Sequence, residues 1–146
     1  MTHYFISTIR YDKTLENGIN KTVNEQYLID ALSFTEAEAR TIEELTPYMS
    51  GKFSIPQIVK PNISELMLSN ESDAYRYYKV KVAFISLDEK SGIEKKTTSA
   101  MLVQAKDFKN AYDRFIDAMK GSISDYEITS IAETKILDYF PYNENK

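Results

Sequence analysis

The chain has 146 residues, 42% of them hydrophobic, with no cysteine and a net charge of −4 at pH 7. The length suits one compact domain with a core of its own, and the missing cysteines exclude disulfides, thiolate metal sites and a cysteine nucleophile. The acidic balance argues against a general polyanion binder. No window reaches the apolar length of a membrane span, so we expect an unprocessed, cytoplasmic protein without membrane contacts.

The two halves of the chain align with each other. Tyr4–Leu45 matches Tyr78–Met119 without a gap at an offset of 74 positions, as 78 − 4 = 74. After that stretch the offset falls to 73, with Phe53 matching Tyr126. The alignment predicts one structural unit used twice.

Each copy is predicted to begin with a β-hairpin. Tyr4–Tyr11 and Tyr78–Ile85 are rich in β-branched and aromatic residues, which is typical of strands. Asn17-Gly18 and Ser91-Gly92 follow them and supply tight turns. A return strand then brings each chain to a helix.

Both helices carry a start signal in the sequence. Ser33 and Glu36 have the spacing of a capping box, and Asp107 occupies the equivalent N-cap position in copy two. Apolar alternation resumes after each helix, and in copy one it contains Pro56 and Pro61. Because proline cannot donate to a strand ladder, we expect that stretch at the edge of a sheet.

These elements predict an α+β fold with an internal duplication of a β-β-α-β-β unit, in which antiparallel sheets pack on two helices. The repeats cover residues 3–68 and 76–140 of a single domain, 1–146. A linker at 69–75 joins them, and a short tail at 143–146 follows. The alternative architecture is one continuous sheet with both helices on the same side.

Three long strings resemble a known family. They are EQYLIDALSFTEAEA (Glu25–Ala39), YYKVKVAFISLDEKSG (Tyr77–Gly92) and MKGSISDYEITSIAETKILDYFPY (Met119–Tyr142). The chain is similar in them to uncharacterised proteins of gut Bacteroidetes and their phages, known only as a domain of unknown function. The resemblance implies a cytoplasmic protein of a bacterial host cell or its phage, and it brings no activity and no functional residues.

Residues with catalytic potential are few. His3 is the single histidine and lies at the N-terminus, where a catalytic role is poorly supported. Four acidic residues surround Arg40 on the first helix: Glu36, Glu38, Glu43 and Glu44. Paired carboxylates of this kind can ligate a divalent cation or act as general acid and base. We favour a solvated helix face with a Glu36–Arg40 ion pair. We therefore predict a protein that is not an enzyme and has no metal or cofactor.

Arg40 and Arg114 occupy matching positions on the two helices. They can anchor equivalent ion pairs at the two helices, or their guanidinium groups can converge near the pseudo-twofold axis and hold an anion. We favour the structural role, since an arginine stem also packs well along a helix.

Basic and aromatic residues gather around the first strand of copy two and its hairpin: Arg76, Tyr77, Lys79, Lys81, Lys95 and Lys96. A sheet face of this kind can hold single-stranded nucleic acid by backbone attraction and base stacking. The competing interpretation is a lysine-protected strand that avoids edge pairing.

An apolar set distinguishes the first strand of copy one: Phe5, Ile9 and Tyr11. If exposed, it is a protein contact for a second copy or another partner. The simpler account is internal cover, by the second half of the chain or by Ile63–Leu68. For function we predict a non-catalytic binding or accessory protein of bacterial mobile-element or phage origin that acts by protein contact. The alternative is a single-stranded nucleic-acid-binding accessory protein.

Overall fold

The computed structural model describes residues 1–122 and 124–142, so the predicted tail at 143–146 lies outside the described residues. The element bounds are β1 His3–Thr14, β2 Asn20–Ala31, α1 Phe34–Leu45, a 3₁₀ helix Thr46–Tyr48, β3 Phe53–Val59, β4 Glu65–Met67, β5 Arg76–Leu87, β6 Glu94–Ala105, α2 Phe108–Ala118, β7 Asp125–Glu133 and β8 Ile136–Phe140.

The chain divides into two compact units. Unit 1 contains residues 1–61 and the described residues from 135 onward, and unit 2 contains residues 62–134. Each unit has a four-stranded sheet, in the order β3-β1-β2-β8 in unit 1 and β4-β6-β5-β7 in unit 2. The predicted α+β class and the internal duplication are confirmed, and the alternative of one continuous sheet is wrong.

The sheets are mixed, whereas the sequence predicted antiparallel ones. β8 pairs in parallel with β2, and β4 pairs in parallel with β6. The parallel strand is in each case the last strand of the other sequence repeat. The two repeats therefore exchange their final strands, and this exchange replaces the expected antiparallel neighbour with a parallel one.

The repeats are offset by 73 positions in their first strands, and the gap-free offset of 74 is wrong there. Phe5 pairs with Ile29 in unit 1, and Tyr78 pairs with Val103 in unit 2. Ile29 and Val103 are 74 positions apart, so Phe5 is the structural equivalent of Tyr78. The extra residue lies in the hairpin loop, which covers 15–19 in unit 1 and 88–93 in unit 2. A shift of one residue in the alignment moves every side chain to the opposite face of the strand. The side chains of β1 therefore lie on the faces opposite to those expected from the 74-residue offset.

Phe5 and Ile9 lie in the interior of unit 1. Their exposed fractions are 2% and 0%. Phe5 packs edge-on against Phe34 of α1 with ring centroids 4.8 Å apart, and it shares a core cluster with Ala37 of the same helix. This strand is therefore covered mainly by α1, and Phe140 of the second half packs against the same cluster. The expected internal cover is confirmed for the second half, whereas Ile63–Leu68 belongs to unit 2. The two side chains are inaccessible to a partner in this structure.

Both predicted helix starts are confirmed. The Ser33 hydroxyl accepts a hydrogen bond from the Glu36 amide at 3.1 Å, and the Asp107 carboxylate accepts one from the Asn110 amide at 2.8 Å. The Glu36 carboxylate accepts from the Leu32 amide at 3.0 Å. Because Glu36 is engaged in this cap, Arg40 pairs instead with Glu44 at 3.6 Å, and the predicted Glu36–Arg40 pair is wrong.

Pro56 lies in β3, which is an edge strand of its sheet as predicted. Prolines at such positions leave the ladder to the neighbouring strand intact. β3 runs beside α1, and the two elements border a surface groove.

Candidate functional site

A cleft in unit 2 gathers two of the predicted basic residues. Its volume is about 320 Å³. Lys79 and Lys81 of β5 line it, together with the Ser64–Ser99 pair and four further residues: Asn62, Ile63, Thr98 and Ala100. The two serine hydroxyls are 2.8 Å apart. Within the part of the chain that the structure describes, neither lysine forms an ion pair, so both ammonium groups are available to an anion.

The other predicted basic residues are separated from that cleft. Arg76 pairs with Glu133 at 3.4 Å and lies over the Tyr75 ring, with the guanidinium carbon 5.2 Å from the ring centroid. Lys96 pairs with Glu127 at 3.3 Å. Alternation along the regularly paired hairpin places Lys95 on the face opposite Lys96. The predicted basic surface is thus divided, and only Lys79 and Lys81 converge on the cleft.

Tyr77 is buried, with an exposed fraction of 2%. Its hydroxyl accepts a hydrogen bond from the side-chain amide of Gln104 at 3.3 Å. A buried ring has no free face for a nucleotide base. The aromatic half of the predicted Lys/Tyr surface is therefore absent at this residue.

Arg40 of α1 contacts the ends of two neighbouring strands of unit 1. Its guanidinium donates to the Asp30 carbonyl at the end of β2, to the Phe140 carbonyl at 3.4 Å and to the Pro141 carbonyl at 2.8 Å. The side chain has an exposed fraction of only 11%. Arg40 therefore fastens the exchanged strand β8 to the strand beside it.

Arg114 does the same in unit 2. It donates to the Gln104 carbonyl at the end of β6 and to the Leu68 carbonyl at 2.7 Å, just past β4. The favoured structural role is confirmed, and the contacts common to both arginines are to backbone carbonyls. Equivalent ion pairs are not found among the described residues, since Arg40 also pairs with Glu44 whereas Arg114 has no such pair. We name this paired arrangement the arginine clamps.

A second surface, in unit 1, was not foreseen from the sequence. The groove between α1 and β3 has a volume of about 460 Å³. Three apolar side chains line it, Ile42 from α1 and Phe53 and Ile55 from β3, and Glu38, Gly51 and Lys52 complete the lining. Ile42 is 46% exposed. The sequence predicted the edge strand, but only the fold brings the exposed Ile42 beside it.

The described residues contain no group of three or more His, Asp or Glu side chains that could hold a metal ion. No helix in the described ranges has the length and apolar character needed to cross a membrane. The acidic face of α1 accordingly has no metal-binding geometry. Its Glu36 and Glu44 serve the helix cap and the Arg40 contact.

A comparison with curated proteins found no match. A family model does match, and it covers residues 3–142. This range includes all the elements from β1 to β8. The chain therefore belongs to the family described as Domain of unknown function (DUF4494).

Proposed function

We propose that this chain is a non-catalytic binding protein that acts by contact with a protein partner. The observation that carries the proposal is the groove between α1 and β3. Ile42, Phe53 and Ile55 give it an apolar floor, and the charged residues Glu38 and Lys52 border it. Apolar surface that is open to solvent and flanked by charged residues is typical of protein contacts.

The occupant that suits this groove is an extended segment of a partner protein. β3 is an edge strand, and an extended segment can lie along such an edge while it places an apolar side chain on Ile42 and Phe53. Pro56 removes one backbone donor from β3. We therefore expect most of the binding free energy to come from the apolar floor and little from backbone hydrogen bonds between the partner segment and β3. Glu38 and Lys52 lie at the groove and can select the charge of the flanking residues.

The test is a comparison of two isoleucine variants in the native host. Ile42→Ser removes an apolar side chain from the groove floor, and Ile19→Ser removes an isoleucine of similar exposure from the β1–β2 hairpin loop. We expect the wild type and Ile19→Ser to co-purify the same partner, and Ile42→Ser to bind it about 5- to 30-fold more weakly. Equal retention by both variants, with unchanged circular dichroism, would remove the groove from the proposal.

The non-catalytic part of the proposal is supported by the sequence. It has one histidine, no cysteine and no glycine-rich phosphate loop or nucleophile motif. The resemblance adds a proposed origin in a bacterial mobile element or phage and a place in the host cytoplasm. Elemental analysis of natively purified protein should find no stoichiometric metal, and a bound metal would favour an enzyme instead.

A second candidate function is binding of single-stranded nucleic acid, and the unit 2 cleft favours it. Lys79 and Lys81 present two ammonium groups that pair with no carboxylate of the described residues, and serine and threonine hydroxyls lie beside them, which is a suitable set for backbone phosphates. Base stacking on Tyr77 is excluded by its burial. The expected binding is therefore weak, sequence-independent and strongly dependent on salt.

A matched pair of charge reversals tests this candidate. Lys79→Glu/Lys81→Glu alters the cleft, whereas Lys13→Glu/Lys21→Glu alters two lysines that face each other on the unit 1 hairpin. We expect the first pair to abolish retention on single-stranded DNA at about 50 mM salt and the second to preserve most of it. Loss of retention in both variants indicates a response to net charge alone, and no retention by the wild type rejects the candidate.

A further inference from the structure

A cleft in unit 1 combines tyrosines with a carboxylate. It lies where Tyr11 of β1 and Tyr27 of β2 meet the segment that follows α1, and its volume is about 300 Å³. Three tyrosines line it, Tyr11, Tyr27 and Tyr48, together with Glu25 and Lys52. We name it the tyrosine cleft. It is distinct from the groove proposed above, although Gly51 and Lys52 border both.

A hydrogen bond fixes the Glu25 carboxylate, because the Tyr27 hydroxyl donates to Glu25 Oε1 at 3.1 Å. Asp12 pairs across the hairpin with Thr22, whose hydroxyl donates to Asp12 Oδ1 at 2.8 Å, so the Asp12 carboxylate lies on the opposite face of the sheet from Tyr11 and Glu25. Burial raises the pKa of Tyr27, and the nearby Glu25 charge raises it further. Tyr27 therefore stays a neutral hydrogen-bond donor at physiological pH. Glu25 is therefore the carboxylate that lies beside the tyrosine rings of the cleft, and Lys52 lies at its border.

This combination selects among ligand classes. An anion is disfavoured by the Glu25 carboxylate beside Tyr27. A bare Ca²⁺ or Mg²⁺ ion requires about six oxygen ligands, and one carboxylate supplies too few. A substituted ammonium group is attracted both by the aromatic rings and by Glu25, and its alkyl groups gain from leaving water.

Unit 2 has none of these features at the equivalent positions. Strand pairing matches Tyr11 with Phe84, Tyr27 with Met101 and Glu25 with Ser99. No carboxylate and no phenol remains in this set. Unit 2 thus adopts the same strand arrangement without these residues, so the fold of a unit does not require them.

We propose that the tyrosine cleft binds an organic ammonium group, either of a small free molecule or of a lysine side chain. Tyr48 is 80% exposed and would be covered by the ligand, whereas Tyr11 and Tyr27 form the more buried wall. Glu25 supplies the compensating charge. Because two of the three tyrosines are held in a sheet, the wall exists before the ligand arrives.

The test uses choline and its neutral isostere 3,3-dimethylbutan-1-ol as probes of isotopically labelled full-length protein, followed by nuclear magnetic resonance. We expect choline to shift the amide signals of residues 25–27 and 48–52 with a Kd on the order of 10 mM or tighter, and the alcohol to shift them far less. Equal shifts by choline and the alcohol, or no choline shifts up to about 100 mM, would overturn the proposal, because charge recognition would be absent.

Two variants locate the site, and a third serves as the control. Tyr48→Leu and Glu25→Gln should each weaken choline binding about 3- to 10-fold, whereas Tyr75→Leu, at another exposed tyrosine in unit 2, should leave it unchanged. An undiminished affinity in both cleft variants contradicts the assignment. Short peptides that carry lysine or trimethyl-lysine between glycines identify the source: tighter binding than choline indicates a lysine side chain, and weaker binding indicates a small free molecule.

Discussion

Unit 1 and unit 2 share one strand arrangement but have different interiors. Ser7 and Thr41 occupy the positions that Val80 and Phe115 occupy in unit 2, and all four side chains are buried. The Thr41 hydroxyl lies 2.9 Å from Ser7 Oγ and 2.7 Å from the Ala37 carbonyl oxygen. A polar pair can thus replace an apolar one when its hydrogen bonds are made within the core.

The difference extends to the size of the core clusters. The unit 2 cluster includes the ring of Phe115, which packs edge-on against Tyr126 with centroids 6.0 Å apart. Unit 1 has a smaller buried cluster, and beside it lies the tyrosine cleft. We infer that unit 2 contributes more hydrophobic stabilisation, and that unit 1 has kept polar groups in its interior and at its clefts.

The sharpest test of this contrast is truncation at the matched core position. Phe115→Ala should lower the free energy of unfolding by about 3–5 kcal/mol, because it leaves a large cavity among apolar neighbours. Thr41→Ala should cost about 1–2 kcal/mol, since it removes few atoms but deprives the buried Ser7 hydroxyl of a partner. Guanidinium chloride unfolding, followed by circular dichroism, measures both losses.

A double replacement provides the control. Thr41→Val alone leaves Ser7 without that partner, whereas Ser7→Ala/Thr41→Val removes both polar groups and should recover much of the lost stability. If the two substitutions are simply additive, the Ser7–Thr41 hydrogen bond contributes nothing. A similar loss for Phe115→Ala and Thr41→Ala would contradict the inferred difference between the two cores.

The arginine clamps give the next largest expected effect. Arg40→Met or Arg114→Met removes charged hydrogen bonds to backbone carbonyls and should cost about 1.5–3 kcal/mol each. β8 is anchored by Arg40 and the three-residue β4 by Arg114. Amide hydrogen exchange should therefore accelerate at β8 in the first variant and at β4 in the second.

Lys109→Met is the control for the clamps, because its side chain is 87% exposed and only an exposed ion pair is lost. It should change stability by less than about 0.5 kcal/mol. If either clamp variant left exchange of its own strand unchanged, the arginine would be a packing residue and not an anchor. Faster exchange only in the opposite unit would contradict the pairing of clamps with strands.

Local signals in the sequence were sufficient for the elements. The caps at Ser33 and Asp107, the two hairpins and the edge position of Pro56 each depend on neighbouring residues, and each was predicted correctly. The strand exchange depends on longer-range pairing. No residue near β4 or β8 indicates which repeat the strand will pair with. Each repeat offers an equivalent apolar strand, β2 or β6, as a neighbour.

The register error had a different cause. Because Tyr4 and Tyr78 are identical, the sequences were aligned without a gap. That alignment overlooked the single extra residue in the second hairpin loop. The error exchanged the faces of β1, so Phe5 and Ile9 were considered for a surface that they do not reach. Of the predicted binding residues, Lys79 and Lys81 were correctly expected on one face, while the burial of Tyr77 depends on tertiary packing that alternation cannot predict.

The smallest expected effect concerns the Tyr27–Glu25 pair, which unit 2 replaces with Met101 and Ser99. Burial first, and then the Glu25 charge, raise the pKa of Tyr27 above that of a tyrosine in the unfolded chain. The folded state therefore favours the neutral phenol. This contribution to stability is fully present below about pH 10, the unfolded pKa, and is lost as the pH rises above it.

Tyr27→Phe should consequently flatten the alkaline branch of the stability profile. At neutral pH the variant lacks the hydrogen bond from the Tyr27 hydroxyl to Glu25, whose net contribution to stability is about 0.5–1.5 kcal/mol. Between about pH 10 and 11.5 the wild type should lose stability more steeply than the variant, so that the two curves approach each other. Urea unfolding at a series of pH values measures this. Parallel curves for Tyr27→Phe and the wild type would mean that the phenol ionises as freely in the folded unit as in the unfolded chain, and the wall of the tyrosine cleft would then be more open to water than its geometry indicates.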